Sequence, residues 1–91
     1  ALRLSAKWMT KADDRILEFL AEEGKAQPAM IGEDSRVEFD TQYLNQRLWK
    51  LTEAELTQRV GRGVYVITEE GEDYLTGEFD ARDLPDPDSS E

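Results

Sequence analysis

Ninety-one residues with 21 Asp/Glu against 11 Lys/Arg carry a formal net charge of −10, and the chain has neither cysteine nor histidine. That length supports one small domain with a thin core, and the missing thiols and imidazoles remove disulfides, thiolate nucleophiles, zinc-thiolate sites and the commonest general base, so composition argues against an enzyme, a metal centre or a cofactor. No apolar run nears the roughly 20 residues that cross a bilayer, and the opening ALRLSAKW has no continuous apolar stretch of signal-peptide type, which points to a cytoplasmic protein away from membranes.

Residues 1–9 read as an N-terminal arm in which Leu2, Leu4 and Trp8 pack on the domain. Thr10 is placed to cap a first helix over Lys11–Glu23, with Asp13-Asp14 at the positive end of its dipole, Ile16, Phe19 and Leu20 on one face and Gly24 as the stop. The carboxylates Asp13, Asp14, Glu18, Glu22 and Glu23 read as its solvated outer face rather than as a metal or acid/base cluster. Residues 25–27 form an extended connector. Pro28 suits the first turn of a second helix running to about Asp34, which buries Met30 and Ile31. Residues 35–39 make a turn pinned by Val37 and Phe39, and Asp40 caps a third helix.

That third helix, ending near Ala54, sets Leu44, Leu48 and Leu51 at i, i+4 and i+7, a single apolar stripe. Stepping 100° per residue places Gln42, Gln46, Trp49 and Glu53 opposite the stripe, Tyr43, Asn45 and Lys50 to the sides, and Arg47 nearer the boundary. Trp49 has three readings at this point: a sugar-phosphate cover, a contact to the following hairpin, or a dimer contact. The alternating runs Leu56–Val60 and Val64–Ile67 then flank Gly61-Arg62-Gly63, where glycine admits the φ > 0 that a tight strand-to-strand turn requires. Thr68 caps a last helix that opens on Glu69-Glu70, packs through Tyr74-Leu75 and ends at Gly77. Residues 78–91 are acidic and proline-interrupted, a flexible tail or a loosely docked arm held by Phe79 and Leu84.

Helix, turn, helix and basic-tipped hairpin in this order spell an α+β, mainly helical chain. The architecture is a winged helix-turn-helix with a three-helix core, a two-stranded wing and a C-terminal helix, its domain spanning residues 10–77. Residues 41–67 hold four Lys/Arg and two Asp/Glu, whereas residues 1–40 hold six and nine and residues 68–91 one and ten, so the only net-positive segment is the third helix with its hairpin. Gln and Asn bond adenine edges in pairs, and Arg or Lys does the same to guanine. The candidate DNA-binding residues are therefore Thr41, Gln42, Tyr43, Asn45, Gln46, Arg47 and Lys50 on the helix, with Arg59 and Arg62 on the wing. The implied partner is a double-stranded DNA operator bound by a homodimer, since one small module rarely buries enough surface for selectivity. A protein-interaction module using Tyr43, Trp49 and the acidic tail is the alternative, and any small-molecule effector stays open.

Three stretches, WMTKADDRILEFLAEEG (Trp8–Gly24), TQYLNQRLWKL (Thr41–Leu51) and RVGRGVYVITEEGEDYLTGEFDA (Arg59–Ala81), resemble the haloarchaeal winged-helix proteins related to the halophage phi-H repressor. The resemblance implies a transcriptional regulator, most simply a repressor, working in a haloarchaeal cytoplasm. At molar salt the Debye length falls to about 3 Å, so distant carboxylates scarcely repel DNA while keeping the surface hydrated.

Overall fold

Six elements follow one another in the chain: α1 (Lys11–Glu23), α2 (Pro28–Gly32), α3 (Thr41–Glu53), β1 (Thr57–Arg59), β2 (Tyr65–Ile67) and α4 (Glu69–Thr76). This computed structural model describes residues 2–34 and 38–88. The architecture is the expected one, α+β and mainly helical, with a two-stranded antiparallel wing pairing Thr57 with Ile67, Gln58 with Val66 and Arg59 with Tyr65.

The helices form where caps and apolar stripes agree. The Thr10 N–H donates to Asp13 Oδ2, Asp40 accepts from the Tyr43 N–H, and the Thr68 hydroxyl accepts from the Gly71 N–H. Each cap satisfies a backbone donor that the first helical turn leaves without a partner. The stripes of α1 (Ile16, Leu17, Leu20) and α3 (Leu44, Leu48, Leu51) meet Ile31 from α2, Leu56 at the wing root and Tyr74 from α4, all fully buried. Each such side chain contributes about 1.5–3 kcal/mol by leaving water, which makes this cluster the main source of stability in so short a chain.

The wing root is tied down at several points. The connector after α1 joins the hairpin: the Ala26 N–H donates to the Tyr65 carbonyl and the Tyr65 N–H to that of Ala26, at 3.0 and 2.9 Å, a bridge the extended reading of 25–27 had not assigned. Thr52 and Thr57 hydroxyls meet at 2.8 Å, linking the end of α3 to β1. Of the two turn glycines only Gly63 takes the left-handed conformation, at φ 67°. At Gly71, a Cβ would overlap the Leu56 carbonyl oxygen, so only glycine lets the first turn of α4 lie this close to the wing root.

Several expectations need correction. Helix α2 stops at Gly32, and Met30 is 49% exposed while Ile31 is buried, because a single turn and a half has room for only one inward position next to Pro28. Leu2 is also exposed, whereas Leu4 bridges Asp80 in parallel and Trp8 is half-buried. Of the two readings of the acidic tail, residues 78–88 take the docked one, which is no correction: Ala81 is buried and its N–H donates to the Leu4 carbonyl, the Trp8 indole N–H donates to the Leu84 carbonyl, and Phe79 and Leu84 pack on the core. Apolar side chains spaced through an acidic stretch are enough to dock it. Phe39 packs on the core as expected, while Val37 falls outside the described residues.

Candidate nucleic-acid interface

Helix α3 presents two chemically different sides. Leu44, Leu48 and Leu51 are buried, which leaves Thr41, Gln42, Asn45, Gln46, Trp49 and Glu53 exposed. The exposed residues toward its N-terminal end carry hydroxyl and amide groups and no charge. The Asn45 NH2 donates to the Thr41 carbonyl at 3.1 Å, which leaves its second N–H and its carbonyl oxygen available to a ligand. Tyr43 is half-buried, its ring 5.5 Å from that of Phe39, so the start of α3 is braced against Phe39.

Arg47 does not join this surface. It is only 8% exposed, and its guanidinium turns inward: Nε donates to Asp13 Oδ1 at 2.8 Å and Nη2 to Asp13 Oδ2 at 2.6 Å. Nη2 also donates to the Trp8 carbonyl at 3.0 Å, and the group lies 6.0 Å from the Trp8 and Tyr43 ring centres. The bonds from Asp13 outweigh burial and hold the guanidinium above its ordinary pKa. Asp13, placed by sequence on a solvated face, is instead fully buried in a two-pronged ion pair that joins the first turn of α1 to the middle of α3. The neighbouring carboxylates are engaged as well: Asp14 accepts from the Tyr74 hydroxyl, and Glu18 accepts from Arg3 and Arg15.

Lys50 is paired too. Its Nζ lies 3.0 Å from Asp86 Oδ1 and 3.3 Å from Asp88 Oδ2, and 5.8 Å from the centre of the Trp8 ring. Burial alone would lower its pKa; the two carboxylates reverse that and hold the ammonium above the usual lysine value. Gln46, Arg47, Trp49, Lys50 and Asp88 line a cleft of about 350 Å³ along this side of α3. On the wing, Arg59 and Arg62 are exposed; Arg59 Nε donates to the Gly61 carbonyl at 3.3 Å, and among the described residues neither arginine meets a carboxylate. Trp49 is 47% exposed at the edge of the cleft.

Of the nine candidate residues, Thr41, Gln42, Asn45, Gln46, Arg59 and Arg62 are thus open to solvent, Tyr43 is half-covered, Lys50 is occupied and Arg47 is buried. Sequence reasoning missed the partners of the last two. The boundary position of Arg47 was the one signal that its guanidinium needs a partner; which carboxylate supplies it, and that Asp86 and Asp88 reach Lys50, is set only by the tertiary fold.

Three helices, a hairpin rooted beside the third of them and a closing helix define a winged helix-turn-helix protein. Residues 2–86 match the family described as winged helix-turn-helix phage repressor, and the chain belongs to that family, one of repressor-like regulators rather than of enzymes. It is also similar to the PhiH1 repressor-like protein from Haloarcula marismortui, whose crystal structure aligns with a TM-score of 0.89 at 44% identity over 94% of this chain and 98% of that one. Comparison with curated proteins gave no match. Among the described residues no helix is long and apolar enough to cross a membrane, and no group of three or more carboxylates is arranged to hold a metal ion.

Proposed function

We propose that this chain is a sequence-specific transcriptional repressor that binds an operator as a homodimer in a haloarchaeal cytoplasm. The observation that carries the reading is the uncharged hydrogen-bonding surface of α3, where Thr41, Gln42, Asn45 and Gln46 stand exposed together on the helix that helix-turn-helix proteins in general place in the major groove. Gln42 and Gln46 read base edges in the major groove, Asn45 adds a further amide, and Thr41 and the Tyr43 hydroxyl approach sugar or phosphate. Arg62 and Arg59 reach the flanking minor groove or its phosphates from the wing. Arg47 serves the site from inside, by fixing the rotation of α3 against α1.

Changing Gln42 and Gln46 to Ala tests this. Each substitution is expected to remove about 1–3 kcal/mol of discrimination between the operator and altered sites, with the fold intact by circular dichroism. Unchanged selectivity would discard base readout by α3 and favour the protein-interaction module, in which Tyr43, Trp49 and the tail meet a protein partner. A second measurement follows operator affinity across KCl concentrations. Because α3 reads with amides rather than cations, binding persists at salt levels where a repressor with six or more phosphate contacts would lose roughly 10³-fold or more in affinity.

A further inference from the structure

We infer that Lys50 is a seat for a DNA backbone phosphate and that the chain's own C-terminal carboxylates occupy this seat in the free protein. The inference rests on the DNA-binding reading above and concerns the regulation of that same surface. Lys50 lies on α3 one turn beyond Gln46, at the edge of the exposed amide surface, and its ammonium is held between Asp86 Oδ1 at 3.0 Å and Asp88 Oδ2 at 3.3 Å. Two carboxylate oxygens converging on one ammonium stand where the oxygens of a phosphate would bind.

The segment that delivers them is anchored and stiffened. It is anchored upstream by the buried Ala81 and by Leu84, whose carbonyl accepts the Trp8 indole N–H at 3.1 Å. Beyond Leu84 the sequence is Pro85-Asp86-Pro87-Asp88, in which each proline fixes φ and limits the conformations an ordinary tail would sample. The Asp88 N–H donates to Asp86 Oδ1 at 2.9 Å, closing a small turn that aims both side chains at Lys50. Asp88 also lines the cleft formed by Gln46, Arg47, Trp49 and Lys50, so a docked tail covers one flank of the reading surface.

The contact is strong enough to matter and weak enough to exchange. The Lys50 side chain is 13% exposed, but those of Asp86 and Asp88 are 37% and 64% exposed, the partly solvated setting in which an ion pair contributes little to stability and is screened by salt. Duplex DNA therefore displaces the tail, and each binding event forgoes the counterion release that an open Lys50 would have supplied.

The experiment uses the full chain, with two fluorescent duplexes: one selected from random-sequence DNA by the wild-type protein, and one unselected. Affinity is measured over a range of KCl in which circular dichroism shows every variant folded. The variants are Asp86→Asn/Asp88→Asn, the same pair in a Lys50→Gln background, and the control Glu78→Gln/Asp83→Asn, which removes two exposed carboxylates of the same acidic segment that do not pair with Lys50. Asp86→Asn/Asp88→Asn is expected to tighten binding to both duplexes by roughly three- to tenfold and to steepen the salt dependence by about one phosphate contact, a slope change of about 0.9. The control should gain less than about twofold, and the gain should vanish when Lys50 is Gln. A control gain equal to that of the tail variant, or a gain that survives Lys50→Gln, overturns the occupied seat while leaving DNA binding intact. Failure of every folded variant to bind either duplex at any salt overturns the DNA-binding reading and this inference with it.

Discussion

At the wing tip Arg62 is exposed and meets no carboxylate among the described residues, while on α3 Arg47 is buried against Asp13 and Lys50 is held between Asp86 and Asp88. A count along the chain gives these cations equal weight and makes residues 41–67 the basic part of an acidic protein. Folding divides them. The wing leaves its arginines exposed and without a carboxylate partner among the described residues, the middle of α3 uses its arginine to hold the helix against α1, and its lysine is paired with the tail. Regional charge therefore says little about a reading surface until the partner of each cation is known.

The largest effect should come from breaking the buried pair. Replacing Asp13 by Ala leaves an uncompensated guanidinium inside the protein and is expected to cost about 3–5 kcal/mol in denaturant unfolding. Replacing both partners, Asp13→Leu with Arg47→Met, should cost far less, because no charge is then stranded. If the single and double variants were equally destabilised, packing rather than charge pairing would be what the site supplies.

A smaller effect separates the wing from α3. Arg62→Ala should lower affinity for every duplex alike and reduce the salt slope by about 0.9, with stability changed by less than about 0.5 kcal/mol. Lys50→Ala should change the slope less in the wild-type background, since its ammonium already has anionic partners. Equal slopes for the two variants would erase the distinction between a free and an occupied cation.

The smallest effect lies in the partly buried cluster around the Tyr74 hydroxyl. Tyr74 is fully buried, its hydroxyl meets Ser5 Oγ and donates to Asp14 Oδ1, each at 2.7 Å, and burial leads the causes that push its pKa up to about 12. A phenol with a raised folded pKa contributes stability that is complete below its unfolded value of about 10 and is lost as pH rises toward the folded one. Alkaline titration should accordingly show falling stability between about pH 10 and 12, and Tyr74→Phe should flatten that slope. A slope unchanged by Tyr74→Phe would assign the alkaline loss to other groups.

Local rules made much of this fold legible. Asp40 and Thr68 cap α3 and α4, the leucine triplet of α3 is buried, and the Gly-Arg-Gly turn closes a hairpin, each because neighbours in sequence suffice to dictate it. The open side of α3 was equally readable, since helical geometry alone places Gln42 and Gln46 opposite the leucines. Partnerships between distant residues were not. Nothing local pairs Asp13 with Arg47, bridges Ala26 to Tyr65 or brings Asp86 onto Lys50, because those contacts exist only once α1, the wing and the tail share one core. Met30 and Ile31 show the same limit, two adjacent apolar residues of which a short helix can bury only one.

Gly71 turns an absence into a dimension. Because no side chain separates the start of α4 from the Leu56 carbonyl, the thickness of one backbone sets the spacing between the last helix and the base of the wing. Even a methyl group there would act as a shim, prying the hairpin outward and moving its arginine tip relative to α3. The offset between the open side of α3 and the arginine tip of the hairpin is thus gauged by a single hydrogen atom.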